Sequence, residues 1–136
     1  MTKTKENFQK LISKETAENG FTLAFIDLIE DLSLFESMTN LQFDKLTQTI
    51  KSNNQGNIKS ATTTEIILPV KIKEVKFLAE YTGNIQFLIS NDSGETYDVF
   101  KSGETKTFSK EGKAFKFNFR FLDNESELNC FSILGN

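Results

Sequence analysis

Three groups of residues in this 136-residue chain are of types that could do chemistry. Asp27, Glu30 and Asp31 place three carboxylates close together. Paired carboxylates can act as acid and base on a glycosidic bond, provided they flank a cleft and titrate at different pH. On one face of a helix such acids are instead solvated or pair with lysines of a neighbouring subunit. Asn91-Asp92-Ser93-Gly94-Glu95 gathers oxygen ligands around a glycine. It lacks the alternating acids and distal glutamate of an EF-hand calcium loop, and its composition is that of a hairpin turn. Tyr81 and Tyr97 are the only aromatic side chains with a polar tip, against fourteen Phe and no Trp. Ring faces of this kind stack on the CH groups of sugars, so these two tyrosines are the candidate ligand contacts.

What is missing excludes more than what is present suggests. The chain has no histidine, which removes the commonest general base, transition-metal ligand and pH switch together. A single cysteine, Cys130, excludes an intrachain disulfide and a cysteine-based zinc cluster, and its apolar strand context makes it a small core residue. Serines without histidine offer no nucleophile–base pair, and no glycine-rich phosphate loop leads from a strand into a helix. No enzyme, cofactor or metal centre is expected. Net charge is −3 with a pI near 5.1, and neither half of the chain is basic, so nucleic acid has no electrostatic footprint. Lys71, Lys73 and Lys76, with Lys116 and Arg120, are interleaved with Glu74 and Glu80 and fit a solvated sheet surface.

The elements that must position these residues change period along the chain. Phe115, Phe117, Phe119 and Phe121 alternate with Lys116, Asn118 and Arg120, which buries one face of a strand and wets the other. A sheet has to receive that aromatic face. Residues 4–18 are expected as a helix, with Phe8, Leu11, Ile12 and Glu15 in a thin stripe, Thr2 or Thr4 as cap and Asn19-Gly20 as stop. Residues 22–37 are expected as a second helix on the spacing of Phe25, Leu28, Ile29, Leu32 and Phe35. That segment is apolar nearly all round, so those five residues are the candidate oligomerisation surface, either a self-associating stalk or a bundle folded onto the sheet. Residues 40–52, with Phe43, Leu46 and Ile50, are expected as a third helix or a continuation of the second, a capping box of Thr39 and Gln42 arguing for a break near Thr39-Asn40.

The polar run 52–63 is expected as a linker, dividing a helical segment, 1–62, from a strand-rich domain, 63–136. From Thr64 on, about seven short strands are expected, separated by turns such as Thr82-Gly83-Asn84, 91–95 and Lys110-Glu111-Gly112-Lys113. The class is α+β: helices, then an antiparallel sandwich of jelly-roll-like kind. Met1-Thr2-Lys3-Thr4-Lys5 leads into an amphipathic run, not a signal peptide, and the apolar window from Phe21 to Phe35 is too short and charged to span a bilayer. Synthesis in a cytoplasm, without membrane insertion, is expected.

The run from Ile85 to Tyr97, a strand ending in Ser90, an Asp-Gly turn, then Thr96 and an aromatic, resembles a pattern of bacteriophage tail-fibre and baseplate-associated proteins. Ser102-Gly103-Glu104 and the long apolar/basic strand after it match in type. The resemblance covers about residues 64–136 and departs at Ser93, where glycine is usual, and at Tyr97, where Trp is common. It implies a non-enzymatic virion structural module, made in the host cytoplasm and placed on the virion. Its partners would be copies of itself, preferably as a trimer, other virion proteins, and a host-surface glycan. It supplies no site residue. Two alternatives are a monomeric carbohydrate-binding module, and a small regulatory protein that docks a partner by a strand edge.

Overall fold

The structure is a computed structural model that describes residues 1–135. It is one helix, α1 (Lys3–Asn19), followed by ten strands: β1 (Thr22–Asp27), β2 (Phe35–Thr39), β3 (Leu41–Asp44), β4 (Thr49–Ser52), β5 (Ser60–Thr63), β6 (Ile66–Thr82), β7 (Ile85–Ser90), β8 (Asp98–Phe100), β9 (Thr105–Phe121) and β10 (Glu127–Gly135). The α+β class, a helix and then an antiparallel sandwich, is as expected.

One layer, the helix-side sheet, has β10 at its centre. It pairs with β6 along one edge, and with β4 and then β1 along the other. β3 extends this layer from β4, and the first half of β9 from β6. The second layer, the open sheet, runs β2-β5-β9-β7-β8 and uses the second half of β9. β9 therefore belongs to both layers.

The handover falls between Phe115, which pairs with Ile66 of β6, and Lys116, which pairs with Ser90 of β7; shortly before it, at Gly112, a Cβ would lie 2.1 Å from the Asn91 carbonyl oxygen. Asn91 in turn donates to the carbonyl of Lys110 at 2.8 Å. The glycine expected in a turn is thus a close crossing inside one continuous strand. β6 likewise joins what reads as two strands, with an irregularity between Ile67 and Ile72 at Pro69, which cannot donate to a ladder. These two fusions leave five strands beyond residue 63, not seven.

The core between the sheets is aromatic. Phe117 and Phe119 of the open sheet lie 4.9 and 4.8 Å from Phe131 of β10, and Phe77 of β6 lies 4.9 Å from Phe87 of β7. The phenylalanine ladder faces inward as its alternation requires, with Phe115, Phe117, Phe119 and Phe121 all buried.

Two expected helices are strands. Residues 22–37 contain β1, a turn and the start of β2. Their all-round apolarity has another source: from Ala24 on, β1 is partly covered on both faces, while Thr22 and Leu23 at its head stay exposed. Phe25 packs into the core, while Ile26 and Leu28 pack under α1. A strand sandwiched on both sides and a buried helix show the same unbroken apolar run. Residues 40–52 are the β3–β4 hairpin, turned by Asp44, whose carboxylate accepts from Leu46 and Thr47 amides. Leu46, counted toward a helical stripe, is 94% exposed at the hairpin tip. β5 lies within the segment expected as linker. Only Ala61 and Thr63 of its four residues point inward, and the Thr63 hydroxyl accepts from the Phe117 amide at 3.0 Å.

The first helix forms as expected. Thr2 caps it, accepting from the Lys5 amide, and Gly20 ends it in the left-handed region at φ 73°.

Candidate functional site

The outer faces of the two sheets differ. On the helix-side sheet, α1 lays Phe8 and Ile12 against Leu78, Cys130 and Leu134. Both ends of the helix are tied down. Lys5 is fully buried, and its ammonium donates to the carbonyl oxygens of Leu28, Ile29 (3.3 Å) and Asn129 (2.5 Å). Glu15 pairs with Lys76 of β6 at 2.8 Å. Burial lowers the Lys5 pKa and raises that of Asp27 nearby, and it pushes the Cys130 thiol up to about 12. Lys5 and Cys130 are perturbed by burial under the helix and Asp27 by burial at the end of β1 opposite Phe131, and none of the three lines either cleft described below.

The open sheet carries no such cover. Its register sets two rows of outward side chains side by side. Thr39, Ser60, Arg120 and Gln86 form one row, and Ser37, Thr62, Asn118, Leu88 and Val99 the other. The first row crosses three inter-strand steps, about 14 Å. Neither row contains a carboxylate.

Asn118 is held at the centre, its amide donating to the Thr62 hydroxyl at 2.7 Å, the Ser60 hydroxyl at 3.1 Å and the Ala61 carbonyl at 3.3 Å. Its own oxygen accepts from Arg120 Nε at 3.3 Å. At one end of the face Lys116 is paired with Glu36, which raises its pKa. The sheet thus presents hydroxyls, amides and a guanidinium in fixed array. Such a surface can bind a polyhydroxylated ligand by hydrogen bonds.

The residues expected to act are dispersed. Tyr97 lies at the Lys116 end of the open face: a Cβ on Gly94 would sit 3.2 Å from the Tyr97 hydroxyl and 3.1 Å from Lys116 Cδ. Tyr81 turns the other way, packing edge-on against Phe87 at 4.9 Å. The structure does not bring the two tyrosines together on one surface. Of the oligomerisation candidates, Ile29 is fully buried, Phe25, Leu32 and Phe35 pack against the core, and Leu28 packs under α1. They form no common stripe, because the helix that would have aligned them is absent.

Ile29 has φ 51°, rare for a β-branched residue. Its amide donates to Asp27 and its carbonyl accepts from Lys5, which holds the strained turn in place. Asp31 accepts from the Ser33 amide and hydroxyl, so the three acids bend a loop and flank no cleft. In 91–95, Asp92 accepts from Ser90 and Thr96, consistent with the hairpin turn. Among the described residues no group of three or more His, Cys, Asp or Glu is placed to hold a metal ion, and no helix is long and apolar enough to cross a membrane.

Ser60, Thr62 and Gln86 escape a reading by sequence alone. Their signal is visible only across strands, since Ser60 and Thr62 sit in an apparent linker and Gln86 in an apolar run. Lys116, Asn118 and Arg120 are legible as the wet side of the phenylalanine ladder.

Two clefts lie elsewhere on the surface. One of about 420 Å³ at the head of β1 is lined by Leu23, Ala24, Leu68, Pro69, Val70 and Ile72, with Lys71 beside them. Another, of about 270 Å³, is polar, between Gln42, Lys51, Asn54, Asn124, Glu125 and Glu127. Several of its groups are already engaged: Lys51 pairs with Asp44 at 2.6 Å and Glu127 accepts from Thr49 at 3.0 Å.

No protein-family model and no curated protein matches the chain. Solved structures do, two of them as follows. One is described as BiXyn10A CBM1 in apo form; it matches at a TM-score of 0.49 and 14% identity, over 85% of this chain and 99% of that one. The other is described as CpGH89CBM32-6 produced by Clostridium perfringens; it matches at a TM-score of 0.37 and 11% identity, over 81% of this chain and all of that one.

Proposed function

We propose that this chain is a non-catalytic glycan-binding module whose ligand lies across the open sheet. The observation that carries the reading is the uncovered double row of hydroxyl, amide and guanidinium groups centred on Asn118. Polar groups held in place by their own hydrogen bonds lose little freedom on binding, which favours recognition of a hydroxyl-rich ligand by hydrogen bonding. A glycan-binding face also suits attachment to a host surface, the half of the virion reading that does not need an apolar stalk. Trimeric assembly stands as a separate proposal, tested by light scattering of the intact chain at micromolar concentration.

The test is binding of soluble polysaccharides, measured by affinity electrophoresis and calorimetry. Gln86→Ala and Tyr97→Ala are expected to weaken binding with the thermal midpoint unchanged, while Tyr81→Ala destabilises the fold and touches binding only through that loss. Binding by neither a broad panel of neutral nor of acidic glycans overturns the proposal. So does equal binding by Gln86→Ala, Tyr97→Ala and the parent protein.

A further inference from the structure

Arg120 is the only arginine in the chain, all other basic residues being lysine. It stands on the open face in the row Thr39-Ser60-Arg120-Gln86, exposed, with its Nε directed to Asn118 Oδ1 at 3.3 Å. Asn118 is itself fixed by three bonds to β5. A guanidinium held through Nε keeps its two terminal nitrogens as a planar fork, the geometry that matches a carboxylate with two parallel hydrogen bonds. Lysine, used everywhere else in this protein, is a point charge without that fork. Neither row supplies an acid to occupy it, and Lys116, the nearest lysine along the same strand face, is already engaged by Glu36. The protein as a whole is acidic, so an exposed cation amid hydroxyls and amides marks a local preference for anions.

We infer that the open face takes a carboxylate-bearing glycan, with the sugar carboxylate on the Arg120 fork and its hydroxyls on Gln86, Ser60 and Thr62. The inference rests on the glycan-binding reading and narrows it to acidic sugars. The carboxylate stays ionised throughout; no bond is made or broken.

Binding is measured by calorimetry on the full chain with three probes: polygalacturonate, the same polymer after carboxyl reduction, and sialyllactose. Polygalacturonate is expected to bind more tightly than its reduced form, by about tenfold or more, as hydrogen bonds to a charged group imply. Tighter binding of sialyllactose would assign the carboxylate to a sialic acid rather than a uronic acid and supports the same fork. Arg120→Gln should abolish the preference, lowering affinity for the acidic polymer by more than it lowers affinity for the reduced one, and Arg120→Lys should restore only part of it. The exposed position of Arg120 lets both variants fold, which an unchanged thermal midpoint verifies. Equal binding of acidic and reduced polymer, or a preference that survives Arg120→Gln, overturns the carboxylate assignment and leaves the glycan reading standing. Binding of none of the three probes overturns the carboxylate assignment, and failure of the broad panel of neutral and acidic glycans as well overturns both.

Discussion

Cys130, Ser132 and Leu134 point outward from β10 and are buried beneath α1, whereas Ser60, Thr62, Asn118 and Arg120 point outward from β5 and β9 and stay open to water. Both sheets turn phenylalanines inward, so the difference lies only in the outward residues. On the covered side the outward positions are apolar or satisfied by backbone, as when Ser132 donates to the Phe25 carbonyl at 2.8 Å. On the open side they are mostly hydroxyl, amide and guanidinium groups that bond along the surface and need no cover, with Leu88 and Val99 at the end of one row. One face is used for stability and the other is left available. A bare polar face also avoids the sticky patch that an apolar one would create.

The largest way to break this contrast is Phe8→Ala. Phe8 is 2% exposed and is the main apolar contact of α1 with the sheet. Its truncation is expected to cost about 3 kcal/mol, the range for a buried aromatic. Urea unfolding followed by circular dichroism measures it; a loss below about 0.5 kcal/mol would mean that the helix is not part of the cooperative fold.

Lys5→Met comes next. It keeps the apolar stem but strips three carbonyl oxygens of their donor, for an expected loss of about 2 kcal/mol. The desolvation that lowers the Lys5 pKa offsets part of what its bonds contribute, which is why this loss is the smaller one. Cys130 reports on the same face. With its thiol raised to about 12 and sealed, it should resist iodoacetamide in the native protein and react faster in Lys5→Met. Equal labelling rates would show that Lys5 does not hold the helix down.

The covered face was the harder one to foresee. The helix 3–19, its caps, the inward phenylalanine ladder and the antiparallel sandwich follow from local pattern. Phe25, Leu28, Ile29, Leu32 and Phe35 fall at helical spacing, yet they serve a strand and a turn wrapped between core and α1. Periodicity cannot distinguish these cases, because a strand buried on both faces loses the alternation that betrays strands. β5 is obscure for the opposite reason: Ser-Ala-Thr-Thr is polar enough to pass for a linker, and only its pairing with Ser60 opposite Arg120 gives it a role. The open face inherits that difficulty. Lys116, Asn118 and Arg120 are visible in the ladder, but their neighbours come from β2, β5 and β7, and cross-strand register is not written in any one segment.

Asp27 sharpens the comparison through pH. Burial raises its pKa above 3.8, so the native state binds this proton before the unfolded chain does as pH falls. Its contribution is therefore most favourable below pH 3.8 and is lost as pH rises through the raised value. Asp27→Asn stays neutral and can still accept from the Ile29 amide. It should be more stable than the parent at about pH 7, with the gap closing at about pH 3. Urea midpoints at both pH values decide this, and a gap that does not change with pH would show that the carboxyl is not desolvated at the end of β1. On the open side Lys116 has the opposite environment, its charge favoured by Glu36, so the two faces part in electrostatics as well as in cover.

The smallest expected stability effect is on the open face. Gln86 points outward from the open sheet beside Arg120, so Gln86→Ala should shift stability by no more than about 0.5 kcal/mol. If the face is a binding surface, the same change weakens glycan binding even though the fold does not register it. This pairing of a silent stability readout with a loss of binding separates a surface kept open for a ligand from one that is merely solvated. A solvated face would give two silent readouts. A face that supported the fold would give a loss of stability comparable to Lys5→Met, and the contrast between the two sheets would then be one of degree.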